Sequence, residues 1–188
     1  MKRTFSLLAL GTGLTLVAAC ADPMGDGMQT GAADDSAAME DTSPGEVGYA
    51  NLTTAEGSAV GRAVFTETDA GVDVDAQLTG MAPGVHAVHV HQTGTCTPPD
   101  FTSAGGHWNP TNQPHPQHKG DLGNVTVDAS GGAQLTATID DVSLNGGTVP
   151  MLDSDGAALI VHMNADDMVS QPSGDAGARM ACSPITTG

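Results

Sequence analysis

Histidine carries the chemistry of this chain. His86, His89, His91, His107, His115, His118 and His162 are its only histidines, and all fall between residues 86 and 162 of 188. Imidazole is a good ligand for borderline transition metals such as copper and zinc. So dense a set, in a chain with only five Lys plus Arg, is not surface decoration. His89 and His91 stand two apart in the strand-like run from Val85 to His91. The segment from Gly106 to Val125 adds His107, His115, His118 and Asp121, and three imidazoles with one carboxylate can satisfy tetrahedral zinc. Pro114 and Pro116 stiffen the chain around His115, and His162 ends the apolar run that begins at Ala158. These residue types in this pattern point to a metalloenzyme or a metal carrier.

The elements that must position these side chains read as strands. Val72 to Leu78 and Ala133 to Ile139 alternate apolar and polar residues, the period of a half-buried strand. Ala59 to Thr66, Asn124 to Asp128 and Ala157 to His162 are further candidates, separated by turns such as Asp69-Ala-Gly71 and Ala129-Ser-Gly-Gly132. No segment has a helical period with caps. Many short strands predict an all-β fold, an antiparallel sandwich or barrel. The stretch from Gln92 to Gly123 is rich in Pro and Gly, and a loop that long inside a compact domain is usually functional. On the strand through His91, Val88 and Val90 are expected to face the core. His89 and His91 then share the opposite face, beneath that loop. His86 lies on the inward side and is expected to be a satisfied structural group rather than a ligand.

The ends describe export. Lys2 and Arg3 precede an apolar stretch from Phe5 to Val17, too short to cross a bilayer comfortably. The run Leu16-Val-Ala-Ala-Cys20 resembles the lipobox of a bacterial lipoprotein signal. That resemblance implies a signal peptide over 1–19 and a lipid on Cys20, holding the protein to a membrane of the bacterial envelope, expected to face the periplasm, with the outer surface as the alternative. The alternative is a secretory signal cut at a nearby alanine. If Cys20 carries lipid, Cys96 and Cys182 remain as one pair, and an oxidising compartment permits their disulfide. Residues 20–46, without apolar period and rich in small and acidic residues, read as a disordered tether; the folded domain spans 47–188. Removing the signal takes away Lys2 and Arg3 and no acid, so the formal charge deepens from −17 to −19. Such a chain is not built to bind nucleic acid or to adhere to anionic lipid by charge.

The segments His-Val-His91, Gly-Gly-His-Trp-Asn-Pro110, His-Lys-Gly-Asp-Leu-Gly-Asn-Val125, Ile-Val-His162 and Gly-Ala-Arg-Met-Ala-Cys182 together resemble copper/zinc superoxide dismutase of the periplasmic bacterial type. The resemblance runs in order from about residue 47 to 186. It implies an eight-stranded antiparallel Greek-key barrel with long metal-binding loops on its outer wall, a fold the family shares with other two-sheet β proteins. It also implies one copper and one zinc per subunit. His89, His91, His107 and His162 would hold copper; His107, His115, His118 and Asp121 would hold zinc, with His107 bridging the two. Asp166 would be the carboxylate joining a copper histidine to a zinc histidine, and Arg179 would hold the anionic substrate over copper. The implied activity is dismutation of superoxide to oxygen and hydrogen peroxide. A non-catalytic copper/zinc carrier on the same fold is the alternative. Lys119, beside His118, is a candidate for local steering of superoxide toward a site in an otherwise strongly negative protein. The family contains both monomers and homodimers, and either fits this chain.

Overall fold

The computed structural model describes residues 45–188; the candidate signal, Cys20 and nearly all of the tether lie outside them. Nine strands follow in chain order: β1 Val47–Thr54, β2 Ala59–Thr68, β3 Gly71–Leu78, β4 Gly84–His91, β5 Asp121–Val127, β6 Ala133–Asp140, β7 Ala158–His162, β8 Arg179–Pro184 and the short β9 Thr186–Thr187. The only helical element among the described residues is one 3-10 turn, Thr102–Ala104. The lateral order is β5-β4-β7-β8-β1-β2-β3-β6, with β9 beside β1, and every ladder is antiparallel. β5 and β6 meet at the seam and all but close an eight-stranded barrel. The non-consecutive neighbours β4–β7 and β3–β6 are the crossovers of a Greek key.

Alternation explains the core. In β3, Val72, Val74, Ala76 and Leu78 are buried while Asp73, Asp75 and Gln77 face solvent. Leu52, Phe65, Val74, Val88, Leu144 and Leu159 belong to the main cluster inside the barrel. A second, smaller cluster of Phe101, Ala104, Ala158, Ile160 and Cys182 lies under the Cys96–Cys182 disulfide, whose Cα atoms are 5.8 Å apart. β4 is buried on both faces: Val88 and Val90 join the main core, and His89 and His91 lie under the loops on the other side.

Register then sets the histidines against their partners, because residues opposite each other in an antiparallel pair project to one face. His89 pairs with Asp121 of β5 and Ile160 of β7, and His162 pairs with Arg179 of β8. His91 makes an isolated bridge with His107. Register shifts interrupt the ladders between Ala87 and His89 and between Val161 and His162. Bulges of this kind re-aim side chains beside functional sites. Asp121 is the first residue of β5, so that strand starts three residues before the expected Asn124. The zinc candidate Asp121 is thus held by a ladder rather than by a free loop.

A closed circuit of main-chain bonds fastens the histidine loop to β4. Trp108 N donates to Val90 O, Gly120 N to Trp108 O, and Val90 N to Gly120 O. Gly120 must lack a side chain here, since a Cβ would fall 2.3 Å from Val90 O and within about 3 Å of the Trp108 main chain. Gly120→Ala is therefore expected to lower stability by about 1–3 kcal/mol through forced backbone movement. It should also weaken zinc uptake, because His118 and Asp121 flank the circuit. Urea unfolding and zinc titration measure both; native values in each would remove Gly120 from the positioning of the site.

Candidate metal centre

Two groups of side chains converge outside the barrel wall. In each of the sets His89, His91, His107, His162 and His107, His115, His118, Asp121, one ligand atom per residue lies within 4.8 Å of all the others. His107 belongs to both. The structure thus gathers every residue the sequence reading assigned to copper or zinc, at the two places expected. His86 stands apart from both sets. It is buried, with Nδ1 2.9 Å from His162 O and Nε2 2.9 Å from Ala82 O.

The hydrogen bonds decide which nitrogen of each ring is free. His91 Nδ1 donates to Gly105 O at 3.0 Å, and His162 Nδ1 donates to Gly177 O at 3.3 Å. Each ring is left with an Nε2 lone pair, and the two Nε2 atoms face each other at 3.3 Å. Two lone pairs so placed repel, and a cation between them removes the conflict. His89 donates from Nε2 to Asp166 Oδ2 at 2.9 Å, leaving Nδ1 buried without a partner. His107 Nε2 is buried and unpartnered on the same side. On the zinc side His115 Nε2 donates to Asp166 Oδ1 at 2.9 Å. Its buried Nδ1 lies 3.1 Å from Asp121 Oδ2 without hydrogen-bond alignment. His118 Nδ1 sits 3.4 Å from His107 Nδ1, which is itself 2.6 Å from Asp121 Oδ1. Buried polar atoms left without partners in a native fold call for an explanation. The three imidazole nitrogens so left, His89 Nδ1, His107 Nε2 and His115 Nδ1, belong to residues of the two nitrogen-rich clusters, which is how metal sites with oriented imidazoles are built. The residues fit copper on the four-nitrogen side and zinc on the three-nitrogen, one-oxygen side.

Electrostatics agree with the geometry. Burial, followed by the like charges of His107 and His162, pushes the His89 imidazole down to about 3. Burial takes His91 down to about 2 and His162 to about 4. All three rings stay neutral at physiological pH, the state a metal ligand requires. Asp166 is buried, which raises a carboxyl pKa. The Met168 N–H and the hydrogen bonds from His89 and His115 outweigh that, and the net direction is downward.

Arg179 stands beside the copper-side rings. Its Nη1 donates to Phe101 O at 2.6 Å and its Nη2 to Gly105 O at 2.5 Å. It lines a cavity of about 500 Å³ with His91, His107, His162, Asn109 and Ser173. Lys119 is elsewhere: its ammonium donates to Asp140 O at 2.7 Å, in a separate recess beside His118 and Thr138. Two side chains that hold the site were assigned no role by the sequence. Asn124 pairs its carboxamide with the backbone of Asp166, donating to Asp166 O at 2.9 Å and accepting from Asp166 N at 2.7 Å. Gln171 does the same for His115. A carboxamide is common in any polar loop, so only the fold shows what these two face.

The family model for copper/zinc superoxide dismutase matches residues 59–185, and the chain belongs to that family. It is 40% identical over 139 residues to a copper-zinc superoxide dismutase of Caulobacter vibrioides, covering 69% of this chain and 80% of that one. It is 38% identical over 146 residues to the superoxide dismutase-like protein YojM of Bacillus subtilis, covering 73% and 74%. Among solved structures, a superoxide dismutase-like protein from Bacillus subtilis matches with TM-score 0.68 at 39% identity, over 72% of this chain and 96% of that one. The copper/zinc superoxide dismutase of Brucella abortus matches with TM-score 0.61 at 27% identity, over 75% and 100%.

The depressed histidines give the metal-free protein a definite acid response. Each ring has a lower pKa folded than unfolded, so below about 6.5 the unfolded chain binds more protons. Stability is then full above that value and lost as pH falls toward the folded values near 4, 3 and 2. At pH 5 the loss should be on the order of 2 kcal/mol per ring. Thermal unfolding of the chelated protein between pH 7.5 and 5 checks this; a midpoint that does not fall would contradict the burial of these rings.

Proposed function

We propose that the protein dismutates superoxide to oxygen and hydrogen peroxide, with copper held by His89, His91, His107 and His162 and zinc by His107, His115, His118 and Asp121. When bound, copper supplies one-electron chemistry and zinc a fixed charge without redox change. The chain supplies the rest. Three of the four rings, His91, His107 and His162, line the channel, His89 is fully buried, and Arg179 forms part of the channel wall. A guanidinium has five N–H donors, and the two carbonyls of Phe101 and Gly105 leave donors for an anion. Burial lowers the Arg179 pKa somewhat and the charge of Asp100 opposes that, so the group remains cationic at any working pH. His107 Nε2, buried at the channel floor, is the atom at which the chain can hold a proton for the product.

The observation that carries this reading is Arg179 beside an oriented four-histidine set. A copper carrier needs ligands, but it has no use for a braced cation in the channel above them. The carrier alternative keeps its weight from the relatives whose names say only superoxide dismutase-like. One solved form of the Bacillus subtilis protein is a double variant in which two residues were changed to histidine.

Superoxide decay followed by pulse radiolysis on the copper- and zinc-loaded protein separates the two. Arg179→Ala should lower kcat/KM by roughly 10- to 100-fold, the worth of charge-assisted hydrogen bonds, while both metals stay bound. A loaded protein without turnover would establish the carrier instead. Lys119→Gln, off the channel, is expected to leave the rate near native at physiological salt, where charges beyond about 8 Å are screened. At low ionic strength the same change tests local steering, and a lowered rate there would support Lys119 as a steering residue.

The proposal includes an address in the bacterial envelope, with a lipid on Cys20 as the anchor. It is supported by the signal-like residues 1–20. Mass spectrometry of the mature protein from its native membrane should find an acylated Cys20 at the N-terminus. A start at a nearby alanine would make it a soluble exported protein.

A further inference from the structure

We propose that Gln171 is a positioning residue for the zinc half of the centre, its carboxamide clamping the backbone of His115 and so tying zinc retention to the wall of the copper channel. The proposal rests on the zinc assignment above and not on turnover. His115 sits in the sequence Pro114-His115-Pro116. Proline has no N–H, so His115 N is the one main-chain donor of the three residues. It donates to Gln171 Oε1 at 3.0 Å, and Gln171 Nε2 donates back to His115 O at 2.5 Å, across 56 residues of sequence. His115 is 3% exposed. Its peptide groups are therefore cut off from water and depend on this single side chain.

The same segment also grips the ring. Asp166 and Gln171 both lie between β7 and β8, and Asp166 Oδ1 accepts from His115 Nε2 at 2.9 Å. Three hydrogen bonds from one segment thus fix both the main chain and the imidazole of His115. His118, the other zinc histidine outside the bridge, is held differently. Its N–H donates to Asp121 Oδ2 at 3.0 Å, within its own loop. Only one of the two answers to the copper-side segment.

The residues after Gln171 explain why this matters beyond zinc. Pro172 and Ser173 line the channel together with Arg179. At Gly174 a Cβ would fall 1.9 Å from Asp166 Oδ1, so the chain here is pressed directly onto the carboxylate that joins the two halves. When zinc holds His115, the clamp holds Pro172 and Ser173, which follow Gln171, in the wall. When His115 leaves, the clamp loses its partner. By linkage, ordering of this wall and retention of zinc reinforce each other.

The test uses the full copper- and zinc-loaded protein with Gln171→Leu, which has no clamp, and Gln171→Glu, which keeps an acceptor for His115 N but sets an oxygen against His115 O. Zinc release is timed with a chromophoric chelator, and hydrogen exchange is followed at the His115 amide. Gln171→Leu should release zinc roughly 10- to 100-fold faster, the usual effect of removing an outer partner of a metal ligand. The His115 amide should lose protection while the amides of β3 and β6 keep theirs and copper stays bound. Gln171→Glu should fall between, which general loosening of the fold would not produce. Native zinc release and native His115 protection in Gln171→Leu would overturn the proposal. Should that variant fail to fold, a native release rate in Gln171→Glu would overturn it equally. A zinc-retaining protein without turnover would sink the dismutase reading and leave the clamp standing. An active dismutase whose zinc release ignores Gln171 would do the reverse.

Discussion

The arrangement depends on one buried carboxylate. Asp166 takes a hydrogen bond from His89 Nε2 on one oxygen and from His115 Nε2 on the other, both at 2.9 Å. Those bonds decide the tautomer of a copper-side ring and of a zinc-side ring at once, so both rings turn Nδ1 inward. A carboxylate that is 4% exposed is costly unless its lone pairs are filled. Here the Met168 N–H adds to the two imidazoles, and Asn124 anchors the Asp166 main chain from β5. The site is therefore braced from outside its ligand sets, and these outer partners fix the orientation of the rings.

Much of this was legible in the sequence, for definite reasons. Alternation in Val72–Leu78 and Ala133–Ile139 marks strands because their inner residues are uniformly apolar and their outer ones uniformly polar. β1 escapes the same test: its buried positions are Gly48, Ala50 and Leu52, and the exposed ones include Tyr49. Small residues inside and an aromatic outside erase the contrast. β8 is short and holds a proline, so it too reads as loop. The parity of His89 and His91 was readable from two valines, whereas the union of His107, His115 and His118 was not. It requires a loop path closed by main-chain bonds at Val90, Trp108 and Gly120. In the sequence the ligand set is visible only through the family resemblance, and the fold supplies the convergence.

The charge of the molecule sets the limits of the functional reading. A chain of formal charge −17 before any processing repels superoxide at long range. Of the few cations, Arg179 lines the channel, while Lys119 is engaged with a carbonyl of β6. On the proposed activity, capture would rest on short-range contacts within a cavity walled by carboxamides, a hydroxyl and imidazoles rather than on a broad positive funnel. The family includes proteins named as dismutases and proteins named only as dismutase-like. The fold alone does not separate those groups.

Gly105 O accepts from both His91 Nδ1 and Arg179 Nη2. One peptide oxygen thereby serves a ring of the four-histidine set and the cation in the cavity wall. Shifting that peptide to widen the mouth for a bulkier anion would also rotate an imidazole and alter its donation. Selectivity at the entrance and electronic character at the floor are not independent traits in this scaffold. Anyone redesigning the entrance would have to supply a new acceptor for one of the two before moving the other.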